Sequence, residues 1–184
     1  MNQEREQQLI RQSVGNDTAA FGRLVTEYQY YVFRLAFRLL CNTEEARDAT
    51  QEVFIRAWTH LAQFKPQVKF TTWLYKITVN LCYDQMRQQR RQAGLIAAEQ
   101  QEKAMEVPVE EDTGQNLENQ ELITRITRLT GELTPKQKLV FTLWDLEGID
   151  PEEIKLITGM SSAKIKSNLY LARKYIRQRI SKIL

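Results

Sequence analysis

Residues 70–91, FTTWLYKITVNLCYDQMRQQRR, are the stretch that decides the fold. At about 100° per residue, one side of this helix carries Phe70, Trp73, Leu74, Ile77 and Leu81, and another carries Lys76, Asn80, Tyr83, Arg87 and Arg90. The first side predicts a core-facing stripe. The second combines cations, an amide and an aromatic ring, which are the ingredients of a surface for single-stranded nucleic acid. A solvated helix face with Trp73 and Tyr83 packed inside is the alternative interpretation.

The composition indicates an all-α protein. The chain has 184 residues, 42% hydrophobic and 27% charged, with seven Gly and four Pro. Sparse Gly and Pro with long segments of 3.6-residue period favour helices, and the length allows one ordinary domain or two small ones. No apolar leader follows Met1, and no run approaches the roughly 18 apolar residues of a membrane span. We therefore expect a cytoplasmic protein.

The residue types that usually carry catalysis or bind metals are scarce. Cys41 and Cys82 lack C-x-x-C or Cys/His spacing, so reduced thiols are expected rather than a disulfide or zinc site. His60 is the single histidine and has no evident nucleophile or metal-ligand partner in the sequence. The sequence thus predicts no catalytic residue, metal or cofactor.

Charge is strongly segregated along the chain. Residues 161–184 hold seven Lys or Arg and no acid, whereas residues 93–120 hold seven acids and one Lys. This asymmetry predicts a C-terminal end that faces nucleic acid, behind an acidic connector.

Helix signals divide the N-terminal part into a bundle. The predicted units are a short helix over 4–13, a long helix capped by Asn16 or Asp17, a helix over 44–62 capped by Asn42 or Thr43, and the helix from Phe70 after a loop at Pro66. Together they form a predicted N-terminal domain, residues 1–92. Residues 93–120 lack apolar periodicity and are predicted to be a flexible acidic linker, with a transient helix allowed over 95–105.

The predicted C-terminal domain, residues 121–184, ends in a helix-turn-helix. Thr134 to Gln137 is a capping box with Pro at the first helical position, and Asp150-Pro151 repeats the device. A short helix to Thr158, a turn at 159–161 containing Gly, and a helix from Ser162 then follow. The last helix has an apolar stripe of Ile165, Leu169, Ala172, Ile176 and Ile180, and no acid on its other sides. Such a helix is typical of a major-groove reader, although a generic αα-hairpin has a similar pattern.

The helix over 44–62 has an acidic face. Its apolar stripe places Asp48, Gln51, Glu52 and Ile55 on the opposite side. Because an acidic face is repelled by phosphates, we expect it to bind protein if it is functional; single exposed apolar residues are otherwise common.

Four segments together resemble the extracytoplasmic-function sigma factors, the minimal two-domain class of bacterial sigma-70-type factors. They are DATQEVFIRAW at 48–58, FTTWLYKITVN at 70–80, LTP at 133–135 and SAKIKSNLYLAR at 162–173. The resemblance implies a non-enzymatic initiation factor that binds core RNA polymerase at its clamp and flap regions and directs it to promoters. It also implies an anti-sigma factor, membrane-anchored in many members of the family.

The resemblance assigns roles to individual residues. Asp48, Gln51 and Glu52, with Ile55 beside them, match the residues that contact core polymerase. Phe64, Trp73, Tyr75, Lys76 and Asn80 match the part that melts the −10 element and holds an extruded base, and the cationic stripe adds Tyr83, Arg87 and Arg90. The −35 duplex reader comprises Ser162, Lys164, Lys166, Ser167, Asn168, Tyr170, Arg173 and Lys174.

One departure concerns the reader helix. Many family members carry a cation where this chain has Asn168, so the −35 sequence cannot be transferred from relatives. Two other functions compete with the sigma-factor interpretation: a stand-alone helix-turn-helix regulator whose N-terminal bundle senses a ligand or dimerises, and a polymerase-binding adaptor that reads no promoter.

Overall fold

The structure is a computed structural model that describes residues 2–99 and 129–180. Within these ranges all regular structure is helical, which confirms the predicted all-α class. The helices are α1 Gln3–Val14, α2 Thr18–Leu40, α3 Thr43–His60, α4 Phe70–Glu99, α5 Pro135–Phe141, α6 Pro151–Thr158 and α7 Ser162–Ile180. Residues 100–128, which hold most of the predicted linker and the start of the predicted C-terminal domain at 121, lie outside the described residues.

Side-chain caps define the starts of the N-terminal helices. Asp17 accepts a hydrogen bond from the backbone N–H of Ala20 at 3.0 Å, and Asn42 accepts one from Glu45 at 3.1 Å. Of the two candidates at each helix start, these are therefore the caps. α2 ends at Cys41, whose φ of 57° is left-handed, and α3 passes at His60 into a 3₁₀ turn, Leu61–Gln63.

The N-terminal half, residues 2–99, packs α2, α3 and α4 around one core. The α2 stripe of Leu24, Val32, Leu35 and Leu39 has no solvent exposure, and Phe70 of α4 is equally buried. Each such side chain contributes roughly 1.5–3 kcal/mol relative to exposure. Burial fixes the side of α4 that faces the core, and therefore the side that remains for function.

α4 is longer than the predicted domain boundary implies. It continues to Glu99, seven residues beyond the boundary expected at 92. The helix continues through Gly94, which could have ended it, because its neighbours Gln92 and Ala93 are good helix formers. From Arg87 to Ala93 every side chain is exposed, so this part of α4 presents Arg87, Arg90 and Arg91 at the surface.

The C-terminal half, residues 129–180, confirms the predicted capping box and turn. Thr134 accepts from the N–H of Gln137, whose side chain accepts from the N–H of Thr134. α5 then widens into a π-helical turn, Thr142–Leu146. Gly159, with φ of 67°, makes the left-handed turn between α6 and α7, a conformation that costs glycine little.

The reader helix α7 buries a shorter stripe than predicted. Ile165, Leu169, Ala172 and Ile176 are buried against the C-terminal half. Ile180, predicted to belong to the stripe, is 43% exposed because the helix has by then run past its partners. The other sides of α7 therefore carry its polar residues into solvent, as the helix-turn-helix pattern requires.

The two halves pack against each other around a continuous core. α6 and α5 contact α4, and the π turn contacts α2, so that Leu143 and Ile154 join the same cluster as Leu35 and Leu74. We call this arrangement the closed arrangement. Its polar contacts are concentrated at two glutamates of the C-terminal half, Glu147 and Glu153.

Glu147 is the central polar contact between the halves. Its side chain is 1% exposed, and each carboxylate oxygen accepts a 2.6 Å hydrogen bond from an arginine of α2, one from Arg34 and one from Arg38. Arg38 also donates to the carbonyl of Leu146 at 2.5 Å, an acceptor left free at a helix end. Burial lowers the pKa of Arg34, but the hydrogen bond and charge of Glu147 more than offset this, so the pKa is raised.

A second contact lies on α4. Glu153 accepts a hydrogen bond from Thr72 and pairs with Lys69 at 3.5 Å. Lys69 is largely exposed, so this ion pair contributes little, whereas Thr72 is buried. Glu147 is therefore the polar contact on which the closed arrangement depends most.

We predict that Glu147→Ala opens the two halves. Removing the carboxylate leaves two partly buried guanidinium groups unpaired, and truncating one partner of such a pair costs about 2–5 kcal/mol. Small-angle X-ray scattering should then give a larger radius of gyration than for the wild type. Glu52→Ala, which removes an exposed pair within α3, is the control and should leave the radius unchanged. Equal radii for all three proteins would contradict the prediction.

Candidate functional site

The predicted protein-binding face lies on the exposed side of α3. Asp48 and Gln51 are exposed, Ile55 is 61% exposed, and Glu52 is partly exposed with a 2.6 Å ion pair to Arg56. An apolar side chain ringed by acids and an amide has the character of a protein contact. α3 thus brings the four predicted residues together on one surface, which we call the acidic face.

The predicted nucleic-acid stripe is exposed on α4. Lys76, Asn80, Arg87 and Arg90 are all exposed, and Tyr83 is partly buried. The guanidinium carbon of Arg87 lies 5.7 Å from the Tyr83 ring centroid, within the range of a cation–π contact. This stripe therefore presents cations, an amide and one aromatic ring along a single side of the helix.

Phe64 and Trp73 lie in an aromatic cluster at the start of α4. The Phe64 ring centroid is 5.4 Å from those of both Phe70 and Trp73. Phe64 and Trp73 nevertheless remain partly exposed, so each keeps a ring surface. Asn80 lies seven residues beyond Trp73, about 10 Å along the helix, where the core-facing side borders the nucleic-acid stripe. Phe64, Trp73 and Asn80 therefore line one track rather than meet at a point.

Tyr75 is placed differently from the other predicted −10 residues. It is only 9% exposed and lies where α4 meets Arg34 and the second half of the chain. Burial raises the pKa of its phenol, the charge of Glu147 adds to this, and Arg34 and Arg38 oppose it. In the closed arrangement Tyr75 has almost no surface for DNA, and its role there remains a prediction.

The predicted −35 residues lie on α7 with most of their surface in solvent. Six of the eight have no acidic partner within the described ranges: Ser162, Lys164, Lys166, Ser167, Tyr170 and Lys174. Asn168 donates to the carbonyl of Lys164 at 2.7 Å. Arg173 makes a two-pronged contact with Asp145 at 2.9 and 2.5 Å, which raises the pKa of Arg173. Lysines are therefore the available cations of this surface.

Other chemistry-bearing groups have structural surroundings. Both cysteines are free; burial raises the pKa of the Cys82 thiol to about 12, with a smaller contribution from Glu45. Among residues 2–99 and 129–180, no group of three potential metal ligands occurs and no helix is long and apolar enough to cross a membrane.

Sequence reasoning missed the residues that join the halves. Glu147 lies 113 residues from Arg34 and 109 from Arg38, so no local pattern connects them. One signal was available: two arginines four residues apart on a helix repel each other unless an anion lies between them.

Two family models match the chain. Sigma-70 region 2 matches residues 24–92, and Sigma-70 region 4 matches residues 123–176. Together they cover about two thirds of the sequence.

Known sigma factors are similar in sequence to this chain over nearly its whole length. The RNA polymerase sigma-H factor of Pseudomonas aeruginosa is 27% identical, over 100% of this chain and 98% of that protein. The sigma-E factor of Escherichia coli K12 is 29% identical, over 97% and 96%. The sigma factor RpoE of Bartonella quintana, solved in complex with the anti-sigma factor NepR, shares the fold with a TM-score of 0.66 and 20% identity over 88% of this chain and 96% of that one. The chain belongs to the extracytoplasmic-function sigma factors of the sigma-70 family.

Proposed function

We propose that this chain binds core RNA polymerase and directs it to a subset of promoters, reading a −35 duplex and capturing the melted −10 element. The observation that carries the proposal is the division of surfaces: an acidic face on α3, a cationic and aromatic track on the adjacent α4, and a lysine-rich reader helix in the other half. A stand-alone helix-turn-helix regulator would need neither the acidic face on α3 nor the cationic and aromatic track on α4. The chemistry of transcription belongs to the polymerase, so the chain is not itself an enzyme, and it acts in the cytoplasm where polymerase and chromosome are.

The closed arrangement is not the promoter-reading one. The two promoter elements are centred about 25 base pairs apart, which is about 85 Å along B-form DNA at roughly 3.4 Å per base pair. A compact body of this size is only about 40 Å across. The two readers must therefore separate before both can contact one promoter, and the contact of Glu147 with α2 must break.

Opening is sterically allowed by the chain between the halves. The 29 residues 100–128 could reach up to about 100 Å by covalent geometry alone. Core polymerase, which contacts both domains, would supply the free energy for separation. We further propose an anti-sigma factor as a partner, since RpoE of Bartonella quintana, with the same fold, was solved bound to one.

The first prediction concerns the acidic face. Asp48→Lys with Glu52→Lys should weaken binding to purified core polymerase by about 2–5 kcal/mol, because charged hydrogen bonds across an interface are broken and reversed. Glu4→Lys reverses an exposed acid on a different helix, α1, and is the control that should bind normally. Run-off transcription from a cognate promoter should fall in parallel. Wild-type affinity in the double variant would remove the assignment.

The second prediction concerns the reader helix. Lys164→Ala and Lys166→Ala should each reduce the salt dependence of −35 duplex binding by about one unit of slope, because each lysine neutralises a phosphate. Arg173→Ala should change the slope less, since Asp145 already holds that guanidinium. Lys155→Ala, on α6 and paired with Glu152, is the control. If neither lysine substitution changes the slope of the salt dependence, this side of α7 is only solvated and does not contact DNA.

The third prediction concerns base capture. Asn80→Ala and Phe64→Leu should lower the population of the melted promoter complex about five- to 150-fold, since one lost base contact is worth roughly 1–3 kcal/mol. Leucine keeps Phe64's packing against Phe70 while removing the ring. A template mismatched over the −10 region should restore part of the activity, and Lys65→Ala should be neutral. Normal initiation on closed duplex by both variants would show that this track captures no base.

A further inference from the structure

A cationic groove runs across the line where the two halves meet. Its walls come from the exposed end of α4, with Tyr83, Arg87, Arg90 and Arg91, and from the start of α5, with Thr134, Pro135 and Lys136. The cavity measures about 320 Å³. Neither Arg91 nor Lys136 belongs to the promoter surfaces proposed above, and the groove exists only while the halves are together. We call it the joint groove.

Within residues 2–99 and 129–180, the cations of the joint groove have no acidic partner. None of Arg87, Arg90, Arg91 and Lys136 makes an ion pair there, whereas Arg34, Arg38, Arg173 and Arg179 all do. Asp84, the nearest acid on α4, does not line the groove. Four exposed positive charges therefore line one concavity.

Closing the halves concentrates this charge. Lys136 belongs to the C-terminal half and the three arginines to the N-terminal half, so closure brings like charges together, and they repel one another. Glu147, which does not line the groove, holds the C-terminal half to α2 against this repulsion. An anion in the groove would remove the repulsion, and by linkage it would favour the closed arrangement over the open one.

We propose that the joint groove binds an oligophosphate, a chain of about three phosphoryl groups either free or at the end of a nucleotide, and that its binding stabilises the closed arrangement. The cavity is at the small end of the range for ligand sites, and its arginines are suited to hold phosphates by paired hydrogen bonds. The expected effect on transcription rests on the proposed function, in which the two promoter readers must separate. The binding of the oligophosphate does not rest on that function.

Binding is tested by titration calorimetry of the full chain with inorganic tripolyphosphate. Lys136→Ala and Arg91→Ala should each weaken binding about tenfold, because each removes a charged hydrogen-bond donor. Arg23→Ala, an equal loss of charge on the exposed side of α2, should bind as the wild type does. Melting curves establish that the variants fold. Equal affinity across all four proteins would mean unspecific attraction to a basic chain and would overturn the proposal.

The link to closure is tested with Glu147→Ala. If the groove needs both halves, this variant should bind tripolyphosphate as weakly as Lys136→Ala, although Glu147 is not in the groove. Tripolyphosphate should also reduce the radius of gyration of Glu147→Ala in small-angle scattering, by reciprocity. Unaltered affinity in Glu147→Ala would overturn the proposal, whatever the outcome of the promoter experiments.

Comparing tripolyphosphate, ATP and a single-stranded oligonucleotide distinguishes a free oligophosphate from a nucleotide and from DNA. Equal affinity for tripolyphosphate and ATP would show that phosphates alone are recognised, and tighter binding of ATP would identify a nucleotide. A single-stranded oligonucleotide should bind Lys136→Ala as well as wild type, since it uses the α4 track alone. If the oligonucleotide depends on Lys136 and tripolyphosphate does not, the groove is part of the DNA surface and the proposal fails.

Discussion

A carboxylate with almost no solvent exposure lies between two arginines, and the arrangement of the whole chain follows from it. Arg34 and Arg38 offset the desolvation of Glu147, which for an isolated carboxylate costs several kcal/mol. Each oxygen has its own guanidinium donor, so both desolvated sides are satisfied. The contact holds the C-terminal half against α2 while leaving the acidic face of α3 and most of the α4 track in solvent. Both arginines keep about a quarter to a third of their surface exposed, so water can reach the contact as it opens.

The functional surfaces differ in sign and lie on neighbouring helices. α3 offers Asp48 and Glu52, and α4 offers Lys76 and Arg87, with the shared core between them. A negative and a positive surface on one rigid body select different partners, protein for one and phosphate for the other. Because α3 and α4 pack on the same core, the spacing between the proposed polymerase contact and the proposed base-capture track is fixed by helix packing rather than by loops.

Much of this could be read from the sequence, and the exceptions have a common cause. Local rules predicted the two sides of α4, the capping box at Thr134 and the turn at Gly159, because each depends on residues within one or two helical turns. Tyr75 was assigned to the −10 surface by the family resemblance, but it is buried where α4 meets Arg34 and Glu147. Glu147 and Lys136 likewise acquire their surroundings from residues far away in sequence. Contacts between the halves involve single polar pairs, which leave no periodic pattern to detect. The end of α4 was missed for the opposite reason, since good helix formers continue where the apolar pattern stops.

Joining the two halves in one chain changes what their contact has to achieve. Two separate molecules meeting through one buried carboxylate and a few apolar side chains would associate only at high concentration. Covalent connection replaces that requirement with an effective local concentration, which does not depend on how much protein is present. A contact of modest strength is then enough to keep most molecules closed at any cellular abundance. Because the contact is modest, a partner that binds the two halves at separate sites gains more binding free energy than it loses by separating them. Closure is therefore independent of how much of the protein the cell makes, whereas opening depends on how much polymerase is free to receive it.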